Sequence, residues 1–308
     1  MAKKIVFMGT PEFSIQTLEV LIKSSFEILC VYTQPPKESF RGKKINRTPI
    51  HKAAENLNLK VRTPKSLSEK NEYEYFKSLK ADIVIVVAYG NIIPENFLKL
   101  SKYGFINIHA SLLPKWRGAA PIQRSIMNLD NETGISIMKI EEKLDTGPYM
   151  RQVRVNIERQ TNTEILSNQL SKIGAANIIE CLNLITKEEA IFTDQDHSKA
   201  TYAKKISKND SKIMWNDEAE NILAKINALN PRPGAWFEYE GSRYKVWKAE
   251  IIKGSQNIPG LVIDEKLTIA CKKDSIKIVE IQKEGKNKLK LNEFLAGTRV
   301  QKNKILSS

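Results

Sequence analysis

The chain has 308 residues, of which 41% are hydrophobic and 27% are charged, so it is long and apolar enough to form two modest globular domains. Its formal net charge of +14 favours a polyanionic partner such as nucleic acid, although a lysine-rich solvated surface would give the same excess. No apolar run approaches the roughly 18 residues that cross a bilayer, and the N-terminus enters a strand pattern without a signal-peptide core, so we expect a cytoplasmic protein without membrane contact.

Four short, β-branched runs in the first part of the chain are typical of buried parallel strands. They lie at residues 3–8, 26–33, 81–89 and 104–110, and helical patterns separate most of them. Thr10 and Thr48 each precede a proline and are expected to cap the helix that follows. The alternation predicts a doubly wound α/β domain with a mainly parallel, Rossmann-like sheet, closed by a helix at about residues 163–186.

The turn after the first strand does not predict a nucleotide site. Gly9 lacks the second and third glycines that let a backbone approach a pyrophosphate, and no P-loop pattern occurs in the chain. We interpret Gly9 and Thr10 as a tight turn and helix cap.

The second part of the chain contains one amphipathic segment, the turn Pro-Arg-Pro-Gly and several closely spaced short strands. This pattern predicts a small antiparallel, OB-like β-barrel, in which Trp236 and Trp247 are interpreted as core residues. A polar connector separates the two parts. The predicted division is residues 1–188 for the α/β domain, 189–208 for a linker and 209–308 for the barrel.

Three polar residues indicate possible acyl-transfer chemistry. Asn107 and His109 alternate at the carboxyl end of a predicted strand, where ligands of open α/β sheets tend to bind. The carboxamide can donate to an oxyanion, the imidazole can carry a proton, and Asp145 follows another predicted strand and can orient the ring. The alternative is that His109 is a structural hydrogen-bonding residue.

The three cysteines, Cys30, Cys181 and Cys271, are far apart in the sequence. Their number and spacing fit neither a disulfide framework nor a metal site, so we expect reduced, buried thiols and no bound metal.

Five motifs in order along the chain carry a resemblance to a known family. They are MGTPEFS, VVAYGNIIP, NIHASLLPKWRGAAPIQRSI, LDTGP and LNPRPGAWFEYEGSRYKVWKAE. With these motifs the chain resembles the methionyl-tRNA formyltransferases, a family of 10-formyltetrahydrofolate-dependent enzymes, along nearly all its length. The resemblance implies transfer of a formyl group from 10-formyltetrahydrofolate to the α-amine of methionine on initiator methionyl-tRNA, for translation initiation.

The resemblance also implies roles for individual residues. Asn107 and His109 would stabilise the oxyanion on the formyl carbon, and Asp145 would hold His109 in a useful protonation state and help remove a proton. No metal and no covalent enzyme intermediate would be needed. Two segments would bind the folate, one lining the pterin pocket and one forming the adjoining wall: Val87, Ala88, Tyr89 and Gly90, and Ser111, Leu112, Leu113 and Pro114.

Two basic blocks would bind the tRNA. Between residues 37 and 65 there are nine Lys or Arg against two acids, and between 271 and 304 ten against four. The resemblance implies that the first block engages the acceptor end, with Arg41 the most important residue and Lys43, Lys44 and Arg47 attracting phosphates. Lys286, Lys288 and Lys290 of the second block would hold the tRNA body. We expect a monomer.

Two other functions are open at this stage. A formyltransferase acting on a nucleotide-linked amino sugar would share the Asn-His-Asp core, but its small anionic substrate would need no basic block at residues 37–47. A nonenzymatic nucleic-acid binder would not need the complete signature around His109.

Overall fold

The computed structural model describes residues 2–38, 45–254, 258–298 and 300–306. Its contacts divide the chain into two compact units. Unit 1 comprises Met1–Pro121, Thr133–Val155 and Ser167–Ala203, and unit 2 comprises Ile122–Glu132, Asn156–Leu166 and Lys204–Ser308. Residues 189–203, predicted to belong to a linker, are part of unit 1.

Strands and helices alternate through the first two thirds of the chain. The strands are β1 (Lys4–Gly9), β2 (Glu27–Tyr32), β3 (Lys37–Glu38), β4 (Ile45–Asn46), β5 (Val61–Arg62), β6 (Ile83–Val87), β7 (Phe105–His109), β8 (Arg117–Gly118), β9 (Glu132–Lys139), β10 (Tyr149–Asn156) and β11 (Tyr202–Ala203). The helices are α1 (Ile15–Ile22), α2 (Pro49–Asn56), α3 (Lys70–Leu79), α4 (Glu95–Leu98), α5 (Pro121–Met127) and α6 (Thr163–Thr186). Short 3₁₀ turns occupy Glu12–Ser14, His197–Lys199 and Asn209–Ser211.

Unit 1 is built on a seven-stranded sheet with the order β10-β9-β7-β6-β1-β2-β5. Strands β7, β6, β1, β2 and β5 are parallel neighbours, whereas β9 pairs antiparallel with β7. Gly9 pairs with Val87 and Val86 with Asn107, so the carboxyl ends of β1, β6 and β7 lie at the same edge of the sheet. That edge therefore brings together three segments with sequence motifs.

Both faces of this sheet are covered, which explains why the parallel strands are nearly continuous apolar runs. Every residue of β6 and β7 is buried. On one face Phe76 contacts the rings of Tyr32, Phe97 and Phe105 at centroid distances of 5.7, 5.1 and 6.0 Å. Helix α6 packs against β7 so closely that a Cβ at Gly174 would lie 2.9 Å from Ile108.

Unit 2 contains a small antiparallel sheet. Its elements are α7 (Ala219–Ala228), β12 (Ala235–Tyr239), β13 (Ser242–Ile252), β14 (Thr268–Ala270), β15 (Ser275–Lys283), β16 (Leu289–Lys290) and α8 (Leu291–Gly297). The strand order is β12-β13-β15-β14, with β16 paired to β15. The predicted fold, a doubly wound, mainly parallel sheet followed by a small antiparallel β-domain, is confirmed.

Three local predictions had different outcomes. Thr48 caps α2 as expected, since its Oγ1 accepts a hydrogen bond from the His51 N–H at 3.1 Å. Thr10 is not a cap, because its hydroxyl donates to the Tyr89 carbonyl at 2.7 Å, which ties the β1 turn to the end of β6. The core prediction for Trp236 and Trp247 was wrong: both are only partly buried, because the inward side of β12 and β13 is taken by alternate residues such as Phe237 and Val246.

Candidate active site

His109 and Asn107 stand two residues apart at the end of β7, so their side chains leave the same face of the sheet. Only 6% of His109 and 9% of Asn107 is exposed. A polar pair this deep at the carboxyl edge of a parallel sheet is in the usual position for a ligand site.

The loop after β7 returns to the His109 ring. His109 Nε2 lies 2.9 Å from the carbonyl oxygen of Trp116. A carbonyl oxygen can only accept, so this contact assigns a proton to Nε2. Trp116 has φ of +59°, a left-handed conformation uncommon for a bulky residue, and its N–H donates to Thr201 Oγ1 at 2.9 Å. The loop thus fixes the orientation of the histidine ring.

Asp145 faces the other ring nitrogen. Its Oδ2 accepts a hydrogen bond from the Gly118 N–H at 2.7 Å and lies 3.7 Å from His109 Nδ1. Asp145 also has a left-handed conformation, with φ of +51°. The 3.7 Å separation exceeds a direct hydrogen bond, so Nδ1 is near the carboxylate without being saturated by it. An imidazole held in this way can exchange a proton with a neighbouring group.

The first predicted folate segment, Val87 to Gly90, continues from β6 next to the histidine strand. The Val87 carbonyl accepts from Ser14 Oγ at 2.8 Å, and the Tyr89 carbonyl accepts from Thr10 Oγ1 at 2.7 Å. Ala88 and Gly90 have φ of +49° and +85°. Burial raises the pKa of Tyr89 to about 12, so its phenol is neutral at physiological pH.

The second predicted folate segment, Ser111 to Pro114, is held by the antiparallel edge of the sheet. Ser136 on β9 donates to the Ser111 carbonyl at 2.7 Å and accepts from the Leu113 N–H at 3.0 Å. Gln152 on β10 donates to the Leu113 carbonyl at 2.7 Å. Sequence reasoning missed Ser136 and Gln152, because nothing local to either residue indicates which loop it contacts.

Sequence reasoning also missed residues 193–203, which were expected to belong to a linker. Within unit 1, β11 pairs parallel with β8, and Thr201 bonds the main chain at Pro114, Trp116 and Arg117. This segment therefore supports the loop whose Trp116 carbonyl contacts His109.

Among the residues that the structure describes, no group of three or more His, Cys, Asp or Glu side chains could hold a metal ion. The three cysteines are buried and free, and burial raises the pKa of Cys30 and Cys181 to about 11 and of Cys271 to about 12. None of the helices in the described ranges is both long and apolar enough to span a membrane.

Comparison with known proteins assigns the family. The sequence profile of the formyl transferase family matches residues 3–182, and that of the formyl transferase C-terminal domain matches residues 205–299. The chain belongs to the formyl transferase family. It is a formyltransferase whose curated relatives include the methionyl-tRNA formyltransferases of Pelagibacter ubique and Paramagnetospirillum magneticum, 54% and 41% identical over 304 residues. These alignments cover 98% of this chain and 98% and 99% of the two relatives.

Solved structures share the formyltransferase fold at low sequence identity. HypX from Aquifex aeolicus in complex with tetrahydrofolic acid is 16% identical with a TM-score of 0.68, covering 100% of this chain and 51% of that protein. The N-formyltransferase from Helicobacter canadensis, in complex with folinic acid and dTDP-3-aminofucose, is 20% identical with a TM-score of 0.67. That alignment covers 92% of this chain and 100% of the Helicobacter protein. At these identities the likeness concerns the fold.

The predicted tRNA-binding residues of this formyltransferase lie in several places. Arg41, Lys43 and Lys44 fall outside the described residues. Arg47 is half-exposed and pairs with Glu55 at 2.7 Å, just after the two-stranded β3–β4 ladder.

The predicted lysines of unit 2 are exposed and close together in the chain. Lys288 pairs with Glu280, and the Lys290 N–H donates to Glu293 Oε2 at 3.2 Å at the start of α8. The carbonyl of Lys286 accepts from Gln282 at 2.7 Å. Lys286, Lys288 and Lys290 form a basic strip whose ammonium groups are at the surface. The ammonium group of Lys288 is engaged in the ion pair with Glu280.

Proposed function

We propose that this formyltransferase transfers the formyl group of 10-formyltetrahydrofolate to the α-amine of methionine on initiator methionyl-tRNA, in the cytoplasm and as a monomer. Relatives at 41% to 54% identity over nearly the whole chain carry the name methionyl-tRNA formyltransferase. The observation that carries the mechanism is the His109 and Asp145 pair, 3.7 Å apart beside Asn107 at the carboxyl edge of the sheet.

In this reaction the amine lone pair attacks the formyl carbon and gives a tetrahedral intermediate with a negatively charged oxygen. The Asn107 carboxamide and the His109 imidazole stabilise this oxyanion. The intermediate collapses when the bond to folate N10 breaks. Nitrogen N10 takes a proton, and the attacking nitrogen loses one with the help of His109 and Asp145.

The contacts of His109 support this division of roles. The carbonyl of Trp116 holds Nε2, so the ring cannot rotate freely. Nδ1 lies near Asp145 without a saturated hydrogen bond and carries no proton in the neutral ring, so it can accept a proton from the attacking amine. Only the imidazolium formed in this way can donate from Nδ1 to the oxyanion. The carboxylate then stabilises the imidazolium as it forms.

Residues Val87 to Gly90 and Ser111 to Pro114 are proposed to hold the folate. The carbonyls of Val87 and Tyr89 are tied back to Ser14 and Thr10, which keeps the first segment in one shape. Around Gly90, which has φ of +85°, the one atom of the described residues that an added Cβ would meet is Gln34 Nε2, at 3.5 Å. A flat ring can therefore approach the main chain here, as a pterin requires.

The test is formylation by the purified full-length chain. We expect it to convert methionyl-initiator-tRNA, with 10-formyltetrahydrofolate as donor, to formylmethionyl-tRNA. Asn107→Ala and His109→Ala should each lower kcat by about a hundredfold while the unfolding temperature stays within a few degrees of wild type. Formylation of a nucleotide-linked amino sugar in place of the tRNA would overturn the proposed substrate, and near-normal activity of His109→Ala would overturn the mechanism.

The tRNA contacts are proposed to divide between the two basic blocks. Arg41 guides the acceptor end, with Lys43, Lys44 and Arg47 attracting phosphates, and Lys286, Lys288 and Lys290 hold the tRNA body. Changing the last three to Gln should weaken tRNA binding and reduce the slope of log Kd against log salt by up to about 1 per lost contact.

A triple variant with the same charge loss provides the control for this salt series. Lys248, Lys266 and Lys272 are exposed residues of unit 2 outside the proposed strip, and their change to Gln should leave the slope nearly unchanged. Equal slopes for the two triple variants would show that net charge alone matters. For Arg41→Ala we expect lower kcat on tRNA with unchanged folate affinity, and full activity would remove Arg41 from the mechanism.

A further inference from the structure

We propose that Gln195, together with Arg117, is a positioning pair that holds the Asp145 turn in place for formyl transfer. The Gln195 amide nitrogen donates to the carbonyls of Asp145 and Gly147, at 2.9 and 2.7 Å. These two carbonyls flank Thr146, so one side chain joins both ends of the turn. Gln195 is 6% exposed, and its two amide hydrogens are both used by these contacts.

Arg117 fixes the other end of the amide. Its Nε and Nη2 donate to Gln195 Oε1 at 3.1 and 2.7 Å, and Nη2 also donates to His197 Nδ1 at 2.7 Å. Only 2% of Arg117 is exposed. Because arginine can only donate, Gln195 must present its oxygen to Arg117 and its nitrogen to the turn. The orientation of the amide is therefore set by the guanidinium.

The adjacent Arg117 and Gly118 act on the same carboxylate residue by two routes. The Gly118 N–H binds the Asp145 carboxylate directly, whereas the Arg117 side chain binds the Asp145 main chain through Gln195. Asp145 has φ of +51°, a left-handed conformation that is unfavourable for most non-glycine residues. A clamp on both the side chain and the main chain explains how this conformation is kept at 3.7 Å from His109.

The kinetic consequence rests on the proposed function, because it assumes that Asp145 acts through His109 during transfer. Gln195 contacts the main chain of Asp145 and not the reacting atoms, so its loss should change turnover more than substrate affinity. An error of about 1 Å in a catalytic group can cost on the order of a hundredfold in rate. We expect Gln195→Ala to lower kcat at least about tenfold, with KM for both substrates within about threefold.

Two variants and a control separate positioning from folding. Gln195→Glu keeps an acceptor for Arg117 but cannot donate to the two carbonyls, so it should be as impaired as Gln195→Ala. Asn177 provides the control, because its amide also accepts from an arginine, Arg151, and donates to a main-chain carbonyl, that of Ile173. Neither partner belongs to the site. Asn177→Ala should keep kcat within about twofold of wild type.

A spectroscopic measurement tests the clamp without substrate. The chain has only three histidines, so selective ¹⁵N labelling of the imidazole rings gives three resolvable sets of signals, assigned with His→Gln variants. In Gln195→Ala the His109 ring nitrogens should shift, because the distance to Asp145 changes, while His51 stays at its wild-type position. In Asn177→Ala all three rings should keep wild-type signals.

The proposal requires both the kinetic loss and the His109 shift in a folded variant. Wild-type His109 signals in Gln195→Ala would overturn it, whatever the rate. A kcat equal to that of the Asn177→Ala control would overturn it as well. Failure of the wild-type chain to formylate methionyl-tRNA would refute the proposed function instead, since the ring signals report on the clamp in the free protein.

Discussion

Replacing Asp145 with asparagine removes one negative charge from the candidate active site with little change in size. The wild-type carboxylate accepts from the Gly118 N–H at 2.7 Å and lies 3.7 Å from His109 Nδ1. An asparagine oxygen can still accept from Gly118, so the turn should keep its shape. The variant therefore tests the charge of Asp145 and leaves the local fold in place.

The expected loss follows from the distance between the two groups. A unit charge pair about 4 Å apart attracts by roughly 4 kcal/mol at an effective dielectric near 20. A rise of about 1.4 kcal/mol in the activation free energy lowers the rate tenfold, so full loss of this attraction from the transition state would lower the rate about a thousandfold. We expect kcat to fall by about a hundredfold to a thousandfold, because some of the stabilisation also acts before transfer.

Single-turnover formylation of methionyl-tRNA with saturating 10-formyltetrahydrofolate measures this step. Asp264→Asn is a matched control, since the Asp264 carboxylate also accepts main-chain N–H groups, those of Lys266 and Thr268, but lies in unit 2. It should turn over at the wild-type rate. A rate for Asp145→Asn within about threefold of wild type, in a folded protein, would show that the carboxylate charge does not assist the reaction.

Three further predictions concern the loop, the core and acid stability. Gly118→Ala should lower kcat at least about tenfold in formylation kinetics, because Gly118 has φ of +112° and an added Cβ would lie 3.0 Å from the Ala203 carbonyl. A wild-type kcat for this variant would contradict the prediction. Phe76→Ala should cost about 3–5 kcal/mol of unfolding free energy in denaturant titrations, since the ring is fully buried among three others, and a loss below about 1 kcal/mol would refute the packing argument. Burial opposes ionisation of Asp210, but the Ser207 N–H and the Arg124 guanidinium outweigh it and lower its pKa from 3.8 to about 2. The ionised Asp210 therefore stabilises the fold above about pH 4, and this stability is lost as the pH falls toward 2. In Asp210→Asn the thermal unfolding temperature should depend less steeply on pH between about 4 and 2 than in wild type. An identical pH dependence in the two proteins would contradict the assignment.

Much of the secondary structure and part of the site followed from local sequence. The β-branched runs identified the parallel strands because both faces of such strands are buried, and the Thr48-Pro49 pair identified a helix start because its cap is a contact three residues away. The alternation of Asn107 and His109 placed both on one face of β7, since a strand has a period of two. These inferences needed only backbone geometry and near neighbours.

The tertiary structure decided which distant residues meet. Asp145 comes within 3.7 Å of His109 because β9 returns antiparallel beside β7, and no spacing in the sequence specifies that register. The sequence pattern predicted that Gln195 belongs to a polar linker, yet its side chain joins Arg117 to the Asp145 turn. A hydrogen bond between distant segments forms only after the sheet and loops have packed, so its partners are determined by the whole fold and not by the pattern around either residue.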